Sequence, residues 1–127
     1  MGYLLDTHTL IWYLDDYLRI PSRITSLIDD VENQKYICSI SLWEIAIKTN
    51  IGKLKMNLSF DELLSIVKDS ELTVLQMEDK YLKGILTLPF LHKDPFDRLI
   101  ISTAIAENLT IVTVDENIQK YDVPWLW

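Results

Sequence analysis

Apolar residues follow two rhythms along the chain. Solid runs at Tyr3-Leu4-Leu5, Tyr36 to Ile40, Thr73-Val74-Leu75 and Thr110 to Val114 read as strands buried on both faces. Between them apolar positions recur at helical spacing: Leu10, Ile11 and Leu14, then Ile24, Leu27, Ile28 and Val31 behind Pro21 at a first helical position. Leu42, Ile45, Ala46 and Ile51 continue this rhythm up to Gly52, and Leu63, Leu64, Ile66 and Val67 resume it. Strands alternating with helices predict an α/β fold with a central parallel β-sheet flanked by crossover helices.

Boundary residues sharpen the picture. Asp6-Thr7-His8 stops the first strand, and Ser41 with Glu44, like Ser59 with Glu62, has capping-box spacing. The Gly52 to Asn57 stretch is then a turn between two helices. Tyr81, Ile85 and Leu88 give a weaker helix that Pro89 terminates or kinks, and Phe90 to Lys93 form a loop. Asp94-Pro95 opens a helix through Leu99, Ile100, Ala104 and Ile105 to about Asn108, with Asp94 as its cap. The last clear strand ends at Asp115, and no repeat, linker or biased tract interrupts the chain.

Composition narrows the class. At 127 residues, 49% hydrophobic and 24% charged, with Gly 3 and Pro 4, the chain has the length of one domain, expected over residues 1–127, and excludes disordered and collagen-like classes. The single Cys38 cannot form an internal disulfide, and no signal segment opens the sequence, so a reducing cytoplasmic setting is expected. Asp6 stands where a myristoylation signal after Met1-Gly2 needs Ser or Thr. No apolar stretch reaches the roughly 18 residues of a membrane-spanning helix.

Charge complicates the search for a partner. The 19 acidic and 12 basic residues give a net charge of −7, which argues against a polyanionic ligand unless some acids do chemistry. Strand carboxyl ends and helix amino ends share one rim of a parallel α/β sheet, where ligands bind. Asp6 and Asp115 follow the first and last strands, while Glu44 and Asp97 fall in first helical turns. Singly, these acids have simpler readings: Glu44 as partner of Ser41 or of Lys48 one turn on, Asp97 as a charge at a helix start, Asp6 and Asp115 as turn residues.

Jointly, clustered carboxylates repel one another and resist burial, so a divalent cation relieves the site. Carboxylates without a thiolate or imidazole cluster suit Mg²⁺ or Mn²⁺. His8 and His92 lack zinc spacing and read as surface groups or as supports for metal-binding residues. Such a site suits phosphodiester hydrolysis, with Lys48, Lys53, Lys93 and Arg98 as candidate backbone contacts around the rim.

The L-L-D-T-H opening, S-L-W-E-I-A-I-K from Ser41 to Lys48, D-P-F-D-R-L-I-I from Asp94 to Ile101 and T-V-D from Thr113 to Asp115 resemble PIN-domain ribonucleases. The nearest branch in these motifs is similar to the toxins of virulence-associated (VapBC-type) toxin-antitoxin pairs. The resemblance spans nearly the whole chain. It implies a PIN fold, a Mg²⁺- or Mn²⁺-dependent endonuclease acting on RNA, a homodimer, and a cognate antitoxin that covers the site. Asp6, Glu44, Asp97 and Asp115 match the family's acidic metal-binding residues, and Thr7 and Thr113 match hydroxylated residues beside those acids.

Other classes fit less well. A phosphatase of the haloacid dehalogenase type wants a second Asp two residues after the first, where His8 stands, and a receiver-like signalling domain wants a lysine where Asp115 stands. A PIN nuclease of RNA processing, outside any toxin-antitoxin pair, is the nearer alternative. Trp12 and Trp43 are expected in core or dimer packing, and Trp125 and Trp127 packed back on the fold. Leu54, Met56 and Phe60 line either a groove for a partner helix or ordinary core.

Overall fold

A computed structural model gives the structure over residues 2–127. Five strands, β1 (Gly2–Leu5), β2 (Gln34–Cys38), β3 (Leu72–Leu75), β4 (Thr110–Val112) and β5 (Trp125–Leu126), form one sheet of order β3-β2-β1-β4-β5. All four neighbouring pairs are parallel. Seven helices connect them: α1 (Thr7–Asp15), α2 (Ser22–Asp29), α3 (Ser39–Asn50), α4 (Phe60–Asp69), α5 (Asp79–Ile85), α6 (Pro95–Glu107) and α7 (Glu116–Gln119).

Alternation along the strands builds a core on each face of the sheet. Tyr3, Leu5, Ile37 and Val112 join Leu10, Ile24, Ile45 and Leu63 of α1 to α4 on one side. Leu4 and Ile111 point the other way, onto Tyr81, Ile100, Ala104 and Ile118 of α5 to α7. Burial of both faces is why the strands read as solid apolar runs. The result is an α/β protein with a parallel sheet between two helical layers.

Several boundaries differ from the expectation, each for a local reason. β2 stops at Cys38, because Ser39 already begins α3. Ser41 is therefore inside α3 rather than capping it, and the expected Ser41–Glu44 capping box is absent. The Ser59–Glu62 box forms in full. Asp6 caps α1, so Thr7 and His8, expected only to stop the strand, already form the helix's first turn. Pro21 sits one position before α2, and Val31 lies beyond it, exposed.

α5 ends at Ile85, short of Leu88. The turn after α3 runs on to Ser59, with Gly52 at φ +75°, a left-handed conformation that glycine adopts without penalty. β4 ends at Val112 rather than Val114, and β5 was not foreseen, being two residues after Pro124 with no apolar period.

Asp94 caps α6 as expected, accepting from Phe96 N at 2.8 Å and Asp97 N at 3.1 Å. Asn108, left-handed at φ 55°, closes its other end. Among the described residues, no helix is long and apolar enough to cross a membrane.

Candidate metal centre

The carboxyl ends of β1 and β4, the first turns of α1 and α6 and the second turn of α3 meet at one rim, so Glu44 lies a turn further into its helix than expected. Asp6 leaves β1 and caps α1: Oδ1 accepts from Thr9 N at 2.9 Å and Oδ2 from the Thr113 hydroxyl beyond β4. The carboxyl is almost wholly buried, and loss of water pushes its pKa up against the lowering effect of those hydrogen bonds. Thr113 also accepts from Asp115 N at 3.0 Å, so one hydroxyl ties the first and last predicted acids together. Asp115 otherwise caps α7, accepting from Asn117 N at 2.8 Å.

Glu44 is equally buried, in the second turn of α3. Thr7 donates to its Oε1 at 2.7 Å, and Lys48, one turn further along the helix, donates to Oε2 at 2.6 Å. The Ser41 hydroxyl lies 2.9 Å from that of Thr7. This tertiary link replaces the local capping box. Glu44 raises the pKa of the Lys48 ammonium, so the lysine stays charged.

Asp97 lies in the first turn of α6. Its Oδ2 accepts from His92 Nε2 at 2.8 Å, which places His92 against a predicted metal-binding acid. Burial raises the Asp97 pKa to about 7 in spite of that bond, and the facing carboxylates of Asp94, Asp6 and Glu44 push in the same direction. Three of the predicted acids thus share one electrostatic environment, while Asp115 reaches it through Thr113. Among the described residues, the ligand atoms gathered within 4.8 Å of one another are those of His92, Asp94 and Asp97. Of the four predicted acids only Asp97 belongs to that trio; Asp6, Glu44 and Asp115 lie outside it, each held by its own donors.

The donor chemistry fits a hard divalent cation. Each carboxylate has about four lone-pair sites, more than its protein donors occupy. Oxygen donors with one imidazole match Mg²⁺ or Mn²⁺ better than a thiolate-seeking metal. A cleft of about 220 Å³ opens beside Glu44, lined by Thr7, His8, Lys48 and Lys53 among others.

Other expectations change. Arg98 is not a rim contact: it is buried, donating to Pro89 O at 2.9 Å and to the Tyr121 hydroxyl at 3.1 Å. Trp43 is not in the core. It is 59% exposed and packs edge-on to Phe96 with ring centroids 5.7 Å apart. Trp127 does pack back, against Trp12 at 5.8 Å, whereas Trp125 stays 42% exposed. Leu54, Met56 and Phe60 are half-buried against the core. Tyr121, which has no motif around it, was missed; only the structure brings it to Arg98.

Fold and rim together define a class: a small parallel α/β protein with carboxylates gathered where its strands end. The chain belongs to the PIN-domain family, whose model matches residues 3–124. No curated protein sequence matches it.

Among solved structures, its fold is similar to that of VapBC2 from Rickettsia felis bound to a DNA fragment from its promoter. That pair has 24% identity and a TM-score of 0.74, over 99% of this chain and 98% of the other. DNA-bound VapBC from Salmonella typhimurium is similar at 19% identity and TM-score 0.72, over 99% and 97% of the two chains. FitAcB from Neisseria gonorrhoeae is similar at 18% and 0.70, over 98% and 96%.

Proposed function

We propose that this chain, acting as one PIN unit over residues 1–127, is a Mg²⁺- or Mn²⁺-dependent endoribonuclease. We further propose that it is the toxin of a toxin-antitoxin pair, a cytoplasmic homodimer silenced by a cognate antitoxin. The observation that carries the reading is that the buried carboxyls of Asp6 and Glu44 face the half-buried Asp97 at the rim of a PIN fold. The toxin assignment rests on the similarity in fold to VapBC structures.

In this reading Asp6, Glu44, Asp97 and Asp115 hold the ion, directly or through water. Bound there, Mg²⁺ or Mn²⁺ supplies a Lewis acid and an acidified water for phosphodiester hydrolysis. The chain's own residues prepare the place. Thr113 fixes Asp6 and Thr7 fixes Glu44, while Lys48 and Lys53 on the cleft offer positive charge to the RNA backbone. Elsewhere the acidic surface disfavours RNA and favours a basic protein partner.

Purified protein should cleave RNA when Mg²⁺ or Mn²⁺ is added and not in chelator, and Asp6→Asn or Asp97→Asn should remove the activity. Cleavage that survives both substitutions sinks the assignment. Release of the activity's inhibition on separation from a co-expressed antitoxin tests the toxin role.

A further inference from the structure

The segment joining α5 to α6 is exposed and apolar, with Phe90 72% and Leu91 51% accessible, so its own burial cannot fix its shape. Two buried side chains fix it instead. Arg98 donates to Leu88 O at 3.4 Å and Pro89 O at 2.9 Å, and its guanidinium lies 4.8 Å from the centre of the Phe90 ring. The Tyr121 hydroxyl accepts from Leu91 N at 3.1 Å, His92 N at 3.0 Å and Arg98 Nη1 at 3.1 Å. Every residue from Leu88 to His92 is thereby anchored, and the anchored strap ends with the His92 imidazole on Asp97. Since Arg98 follows Asp97 in α6, the contacts close a ring: Asp97, Arg98, Tyr121, His92 and back to Asp97.

We propose that His92 is a positioning residue, held by Tyr121, that orients the Asp97 carboxylate for the metal; this rests on the metal-site reading above. The bond from Nε2 engages Oδ2 and leaves Oδ1 for a ligand. Partners of metal-binding groups act in this way, and their loss weakens metal binding by roughly 10- to 100-fold. Only a donated hydrogen bond is needed from position 92, so a side-chain amide can take the imidazole's place.

The test is Mn²⁺ affinity of the full chain, measured by calorimetry and by the paramagnetic signal of free Mn²⁺, with thermal melting as a check on folding. His92→Ala should bind Mn²⁺ about tenfold or more weakly. His92→Gln, which still presents an N–H, should recover affinity to within a few-fold of the unsubstituted protein. Tyr121→Phe, which keeps the buried ring, should lose several-fold through the loosened strap.

Unchanged affinity in His92→Ala overturns the proposal, and so does a His92→Gln variant as weak as His92→Ala, because the imidazole would then be needed as a ligand or proton carrier. If the unsubstituted protein binds no Mn²⁺, the metal-site reading itself fails and takes the proposal with it. Binding by the unsubstituted protein and by His92→Ala alike removes the proposal alone.

Discussion

Glu44 and Asp97 carry the same charge on the same rim, yet the protein holds them by different means. Glu44 is sealed inside the α1–α3 contact, neutralised by Lys48 and steadied by the Thr7 hydroxyl. Asp97 is more open and depends on an imidazole at the end of a loop, and its carboxyl titrates near neutrality. A buried acid with a cation on its own helix has a counter-charge in place whether or not a metal is bound. One that leans on histidine and faces other carboxylates can exchange a proton for a metal.

The sharpest way to break the comparison is to remove each acid in turn. If both hold the metal, Glu44→Gln and Asp97→Asn should each lower RNA cleavage by roughly a hundredfold or more, the several kcal/mol a metal contributes. A loss confined to one variant would assign the other acid a structural role.

Next in size is the support of Glu44. Lys48→Met leaves that carboxylate buried without its cation and should cost about 1–3 kcal/mol in urea unfolding, the lower end reflecting the partial exposure of Lys48. Part of this loss should return on adding Mn²⁺, which replaces the missing charge.

A smaller signature belongs to pH. Asp97 is raised from 3.8 to about 7 in the folded protein, so between those values the folded state holds a proton that the unfolded chain has released. Stability in chelator should therefore fall as pH rises through that window and level off above it, and Asp97→Asn should flatten the slope. Urea midpoints at several pH values measure it.

Smallest is a control away from the rim. Ser59→Ala breaks the α4 capping box and should cost about 1 kcal/mol, with cleavage by the folded protein unchanged.

The contrast between the two acids also marks what a sequence can disclose. Asp94-Pro95 and Ser59 with Glu62 were legible because caps are made within a few residues of the helix start. The parallel sheet was legible because its buried strands are solid apolar runs. Ser41 and Glu44 misled as a local pair: α3 begins two residues earlier, and both side chains turn to Thr7 in another helix.

Arg98 misled for the same reason. Nothing near it in the chain announces Tyr121, and a buried guanidinium looks like a surface one until its distant partner is known. The four acids were singled out by their places near strand and helix ends, which a sequence does show. The proton on Asp97 and the donors on each carboxylate depend on who faces whom, which periodicity does not encode.

One more consequence lies at the far side of the sheet. β5 is only Trp125 and Leu126, yet it occupies the free hydrogen-bonding side of β4: Ile111 N donates to Pro124 O at 2.9 Å and Thr113 N to Leu126 O at 3.0 Å. Trp127 anchors it through Trp12 and through Arg23, which donates to the Trp127 carbonyl at 3.1 Å. Without these few residues β4 would present an unpaired apolar strand to any passing chain, the template from which intermolecular β-aggregates grow. Two residues of β5 are therefore enough to cover the edge of β4.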